Sequence, residues 1–519
     1  MKVFRQAGFW LSTLGLLVSC AGVRAAIYAS DVVATGAGPA YSLHYLLNER
    51  ADSGNIVVGT VAAPDTALAT IPLSGAQLAK GSHDVSFTPS GLAPGDYVFT
   101  VTVAAAPHTA YDLITPVTTL PAGTQTGYGF HVGKVPGTLS YGHLYIGDFA
   151  AAHVVDELSA DGTFLQIVAQ DLADPYAYVG IWVGSDGTLF ASEQNTDNIR
   201  HFTPKAGATP GKPTWTQDAA YTGLVDLSGD GAFYTRGFQV FGLGPTAKVY
   251  LADYSPVPND VLLGTLGDTV NPPVKLFDGS NLAGTRIDGL LVTADEKTIY
   301  IVGSATPGVG RHLNKFIYGP NPANGNTVEW YLDPDFAAND EALNTLLGRG
   351  RSLAFADANS LWVPQNGGAN SAASANYIAR VSTVPLPTSP SIAASVLRIA
   401  SGLAEGPTST ADPAFVAMDA DGDLRITLAD AVKLVRLPSK AGTVTQTIPA
   451  PLVTGVVVGA TGPTPVLPVC LDTDPKGNLV VGVRIDYTGS GTVADAFYTM
   501  ALPDRGSSDA ARSATFHIS

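Results

Sequence analysis

The chain is poor in cysteine, in charge and in long apolar runs. Its 519 residues include two cysteines, Cys20 and Cys470, so a disulfide-stapled scaffold is excluded. Cys20 lies in the amino-terminal segment, which leaves Cys470 as the thiol of the folded chain, expected to be buried and inert. Charged residues make up 14%, with 28 Lys and Arg against 44 Asp and Glu. A net charge of -16 without a basic cluster argues against nucleic acid or an anionic membrane as the main partner, because both require clustered cations to displace counterions. After the first residues no segment reaches the ~18 apolar residues of a membrane helix, so no transmembrane span is expected. There is no Gly-x-Ser-x-Gly elbow, no phosphate-binding loop, no His-Glu-x-x-His and no paired-cysteine metal site.

What is abundant is glycine (56), proline (36) and apolar residues (45%), the composition of a chain with much surface to bury and many turns to make. An all-β fold follows. The length suggests a small domain joined to a large one.

Residues 1–26 read as an export signal: Lys2 and Arg5 precede an apolar run from Ala7 to Val18, then small residues. Two processing readings stand side by side. One cuts after Val23-Arg24-Ala25; the other takes Leu17-Val18-Ser19-Cys20 as a sequence resembling a lipobox, with Cys20 lipid-anchored. The mature chain is expected outside the cytoplasm, secreted or anchored at the cell surface or in the periplasm, and monomeric.

From Ile27 to about Val103, strand-like runs alternate with turns, the clearest being Asp96–Val103 after the turn Leu92-Ala93-Pro94-Gly95. Tyr45-Leu46-Leu47-Asn48-Glu49-Arg50-Ala51, then Leu78 to Phe87, then Leu92 to Thr102, resemble the Ig-like domain of flagellar hook-capping proteins, which is appended to many exported bacterial proteins. Phe87 stands where that family carries tryptophan. The resemblance implies a β-sandwich over 27–105 that acts as a spacer or adhesion module. Residues 106–136, rich in Pro, Thr and Ala, read as a linker.

Beyond it, over 137–519, a unit of turn, apolar strand and polar stretch recurs: His143–Gly147, Asp186–Ser192, Lys248–Asp253, Lys297–Val302, Asn359–Val363, Asp423–Ile426 and Gly477–Gly482. The spacing is near or above the ~40 to 50 residues of a propeller blade. No such unit can bury both its faces alone, and radial packing of seven would solve that. The stretches Gly180–Phe202 and Phe415–Val435 resemble the NHL and gluconolactonase-like blade, which implies a β-propeller, and the seven units suggest seven blades.

Arginines recur just ahead of the inner strands: Arg236, Arg286 with Asp288, and Arg351. At the mouth of a central channel they would form a cationic ring able to grip a carboxylate or phosphate. The alternative is that they pair with Asp226, Asp230 and Asp288 and stiffen that face. The partner expected at the propeller face is a small anionic molecule, a glycan or a protein. The aromatics Trp182, Trp330 and Trp362 are expected to fill gaps between blades, and an exposed one could stack on a sugar.

Asp419, Asp421, Asp423 and Asp430 have the spacing of a calcium loop, but Leu424 occupies the position that needs glycine, and a solvated hairpin at Asp421-Gly422 is the preferred reading. Calcium is therefore the one cofactor left open, and no other is expected. The resemblance to gluconolactonase-like enzymes, which hold a divalent metal with Glu, Asn and Asp, points to Glu193, Asn195 and Asp288 without a motif that fixes them. A binding or scaffold protein is the first reading; a metal-dependent hydrolase or lyase acting on a lactone or carbohydrate is the second.

Overall fold

A computed structural model describes residues 27–106, 108, 112–119, 126–148, 153–172, 178–193, 198–218, 235–253, 260–268, 270–271, 273–278, 286–304, 313–336, 352–365, 377–384, 399, 444–449, 466–485, 494–502 and 507–519. The architecture is all-β: a two-sheet sandwich beside a propeller-like ring of four-stranded antiparallel sheets.

In the sandwich, Ala29–Ala37, Ala40–Leu47 and Gly81–Phe87 form one sheet, and Ser53–Thr60, Ala69–Pro72 and Gly95–Ala105 belong to the other. Alternation sets the core. Tyr41, Leu43, Tyr45 and Leu47 face Ile56, Val58, Phe99, Val101 and Val103 across a single apolar cluster that also holds Phe87. The second sheet is completed from the far end of the chain, because Ser507–Arg512 and Phe516–Ile518 both pair with Gly95–Ala105. The sandwich therefore does not end at 105, and the ring does not run to 519.

Among the described residues, six four-stranded sheets form the ring. Their inner strands are Thr126–Val132, Gly180–Val183, Thr235–Phe241, Arg286–Val292, Ala354–Asp357 and Val466–Thr473. Each sheet is a meander, except that the sixth takes its outermost strand, Asp112–Thr119, from the segment expected to be a linker. Thr126–Val132 also comes from that segment, so residues 106–136 supply strands to two sheets.

Six apolar clusters close the circle, one between each neighbouring pair of sheets. Phe130 and Ile146 of the first sheet meet Cys470 and Phe497 of the sixth. Tyr145 and Val155 meet Ile181 and Leu189, Phe190 meets Phe238 and Val249, and Tyr250 meets Leu290 and Ile299. Tyr300 and Val302 meet Leu361 and Val363, and Trp362 and Ile378 meet Leu471 and Val481. With every neighbour contact taken, the described residues form a ring of six, where the sequence suggests seven. The unit at Asp423–Ile426 falls between the third and fourth strands of the fifth sheet and lies outside the described residues, as does the calcium-like loop. The other six units each form the second strand of a sheet.

Glycine lets the inner strands converge. A Cβ on Gly129 would sit 2.7 Å from the Val179 carbonyl oxygen, one on Gly180 2.5 Å from that of Arg236, and one on Gly237 2.8 Å from the Leu290 nitrogen. Gly180→Val should therefore push the second and third sheets apart and cost about 2 to 3 kcal/mol, read as a lower urea midpoint at unchanged slope.

Candidate functional site

The inner strands surround a central cavity of about 580 Å³, a size in the range of small-molecule pockets. Its polar lining includes His131 and Lys134 from the first sheet, Arg236 and Gln239 from the third, Asp288 from the fourth and Asp472 from the sixth. Apolar lining comes from Trp182, Phe238, Leu290, Phe355 and Leu471, among others.

Arg236 and Asp288 reach this cavity by the same local device. Each directly precedes an inner-strand glycine, and the register with the second strand slips there, between Thr235 and Gly237 and between Ile287 and Gly289. A bulge turns its extra residue out of the regular alternation. Two equivalent bulges on neighbouring sheets thus bring the side chains together, and Arg236 Nη1 donates to Asp288 Oδ1 at 2.9 Å. Both side chains are buried, 6% and 0% exposed. The second carboxylate oxygen, Asp288 Oδ2, is also buried and accepts no hydrogen bond.

Of the four arginine-ring residues read from the sequence, these two meet. Arg286 is the first residue of its strand, with its side chain outside the described residues, and Arg351, Asp226 and Asp230 lie outside them altogether.

Around the ring, polar residues within the inner strands bind the backbone of the next sheet. Gln239 donates to the Val292 carbonyl at 3.2 Å and accepts from the Val292 nitrogen at 2.8 Å. Asp472 Oδ2 accepts from the Val132 nitrogen at 3.0 Å, and its Oδ1 accepts from Lys134. Burial works against the Asp472 charge, yet Lys134 and the donors around it hold its carboxyl below the usual range. The His131 ring packs 4.3 Å from Trp182, centroid to centroid. Burial pushes His131 down to about 4, so it is a neutral imidazole at pH 7, and its buried Nδ1 has no hydrogen-bond partner.

Sequence reasoning missed His131, Lys134, Gln239 and Asp472 as cavity residues. A signal existed: Gly129-Phe130-His131-Val132, Gly180-Ile181-Trp182-Val183 and Gly237-Phe238-Gln239-Val240 share one pattern, and the third position of each lines the cavity.

Glu193 is committed elsewhere. Its carboxylate accepts from Arg200 Nε at 2.8 Å and Nη2 at 3.0 Å and from Asn198 at 3.3 Å, and Asn195 lies outside the described residues. Among the described residues no group of three or more His, Cys, Asp or Glu is placed to hold a metal ion.

A second buried charge cluster joins the sandwich to the ring. His143 stands between two carboxylates, with Nδ1 2.7 Å from Glu157 Oε1 and Nε2 2.9 Å from Asp31 Oδ1. Asp31 reaches it from a bulge in the first sandwich strand, where its backbone adopts φ 53°. Glu157 also accepts from Tyr145, Gln166 and Trp215, so both its oxygens are occupied. Burial opposes the imidazolium, but Asp31 and Glu157 outweigh it and raise His143 to about 10.

The folded state therefore holds this proton more tightly than the unfolded chain, whose value is near 6.5. The stabilisation is full below that value and is lost as pH rises through about 10. Chemical denaturation across pH 6 to 10.5 should show the gap between the parent and His143→Gln shrinking toward the alkaline end; a pH-independent gap would contradict a charged His143.

No family model matches the chain, and no curated protein does. Solved structures match it at low identity and low structural overlap. An auxiliary nutrient-binding protein of Bacteroides thetaiotaomicron is 11% identical, with 91% of this chain and 98% of that one covered at a TM-score of 0.34. The periplasmic gluconolactonase of Pseudomonas aeruginosa is 11% identical, with coverage of 73% and 99% and a TM-score of 0.31. A chain of the mitotic checkpoint complex is 10% identical, with coverage of 76% and 93% and a TM-score of 0.36. All three scores fall below 0.5, too low to bear on the fold or on a ligand.

Proposed function

We propose that this chain is an exported binding protein whose ring receives a small polar molecule in its central cavity. One observation carries the reading: a cavity of about 580 Å³ lined by a fully buried Asp288 with an oxygen that no donor satisfies. An unpaired buried acceptor is costly, and one that belongs to a cavity-lining residue calls for a donor from a bound molecule. Export rests on the signal-like sequence of residues 1–26, and no described helix is long and apolar enough to cross a membrane.

The sandwich, read as Ig-like from its motifs, would carry the ring at the cell surface or in the periplasm as a firm mount. Tyr28 and Leu46 pack on Ala160, Asp31 reaches His143, and Asp509 pairs with Lys476. A thermal-shift screen of small polar metabolites tests the reading, with each hit re-measured on Phe355→Trp, which puts a larger ring into the cavity. At least tenfold weaker binding is expected. Unchanged affinity would put the ligand elsewhere and overturn it.

A further inference from the structure

We propose that the cavity selects a neutral, hydroxyl-rich ligand, a monosaccharide or cyclic polyol, over the anion that a ring of free arginines would favour. This rests on the central cavity being the binding site. Among the described residues, the charged side chains lining it are Lys134, Arg236, Asp288 and Asp472, two of each sign, and each cation already touches a carboxylate. An anionic ligand at Arg236 would stand beside the buried Asp288 carboxylate, which already offsets the guanidinium charge. A cationic ligand would meet Arg236 beside the same carboxylate. A charged ligand of either sign therefore enters against one member of a pair.

What the cavity lacks is a hydrogen-bond donor for Asp288 Oδ2 and a hydrogen-bond partner for His131 Nδ1, which stands 3.9 Å from Asp472 Oδ2. A hydroxyl both donates and accepts, so a ligand with several of them meets Asp288 Oδ2 and serves either tautomer of a neutral imidazole without disturbing an ion pair. Trp182, half-buried beside His131, adds a flat apolar surface on which the C–H face of a sugar or cyclitol ring can lie. Acceptor, imidazole and aromatic plane all line one cavity, the combination that a compact ring of carbons and hydroxyls fits.

The test is calorimetric titration of the full chain with neutral hexoses, pentoses and inositols, against glucuronate, glucosamine and glycine as anionic, cationic and zwitterionic probes. At least one neutral probe should bind saturably, with glucuronate and glycine at least tenfold weaker. Trp182→Leu, checked for an unchanged circular dichroism spectrum, should weaken the neutral ligand at least tenfold, as should Asp288→Asn if that variant folds. Tighter binding of glucuronate, glucosamine or glycine that Phe355→Trp abolishes would overturn this inference and leave the cavity as the binding site. A neutral ligand indifferent to Trp182→Leu would overturn the placement. If no neutral probe binds, the selectivity falls; if no probe of any charge binds, the cavity reading falls with it.

Discussion

A chain ending at Gly506 should lose the sandwich and not merely a tail. Deleting 507–519 removes two strands from Gly95–Ala105, and with them Ile518, which is buried, and Phe516, whose ring lies 5.6 Å from that of Tyr41 and 6.4 Å from that of Phe99. It also removes Asp509, which accepts from the Ala29 nitrogen at 3.2 Å and pairs with Lys476 of the sixth ring sheet. Buried Ile518 at about 1.5 to 3 kcal/mol and the partly buried Phe516 at somewhat less, together with the lost strand pairing, come to on the order of 5 kcal/mol. That is comparable to the whole stability of many domains. Hydrogen exchange should show amides of Gly95–Ala105 and Ala40–Leu47 exchanging far faster in the truncated chain, while the inner ring strands keep more of their protection. A truncated protein with native protection in the sandwich would mean that the terminal strands contribute little.

The second large effect lies at the cavity. Arg236→Leu leaves Asp288 buried without its counter-charge and should cost about 3 to 5 kcal/mol. Adding Asp288→Leu should restore most of the loss, because replacing a buried ion pair with apolar residues is often near neutral. A double-mutant cycle by urea denaturation measures this coupling. Additive losses would mean that the two groups do not share one buried interaction. The prediction also separates stability from binding: the double variant is expected to fold and yet to lose the polar ligand.

Much of the ring is legible in the sequence because its second strands carry strong local signals. Asp186-Gly187 makes a tight turn, with Gly187 at φ 82° and Thr188 donating to Asp186, and the apolar strand follows at Leu189–Ser192. The closing strands carry weak ones. Asp112–Thr119 contains Pro116 and reads as a connection, yet it is the outermost strand of its sheet, where proline is tolerated because one edge need not donate. Ser507–Arg512 has no apolar alternation, and its place is set by a partner strand near the other end of the chain.

The site divides in the same way. Arg236 and Asp288 stand out because each precedes a strand glycine, and the pairing weighed for them from sequence is the one that forms. His131 and Asp472 are single polar residues in apolar strands, and only the curvature of the ring brings them to one cavity.

The central claim is that one ring closes around one cavity, held shut by Asp112–Thr119 pairing with Ala494–Ala501. Introducing Asp112→Cys and Ala501→Cys, which face each other in that register, tests it most directly. Mild oxidation of the dilute protein should form an intramolecular disulfide, seen as faster migration on a non-reducing gel that reverts with reductant, while either single variant stays unchanged. Free thiols at both positions, or links only between separate molecules, would show that the circle is not closed by this strand.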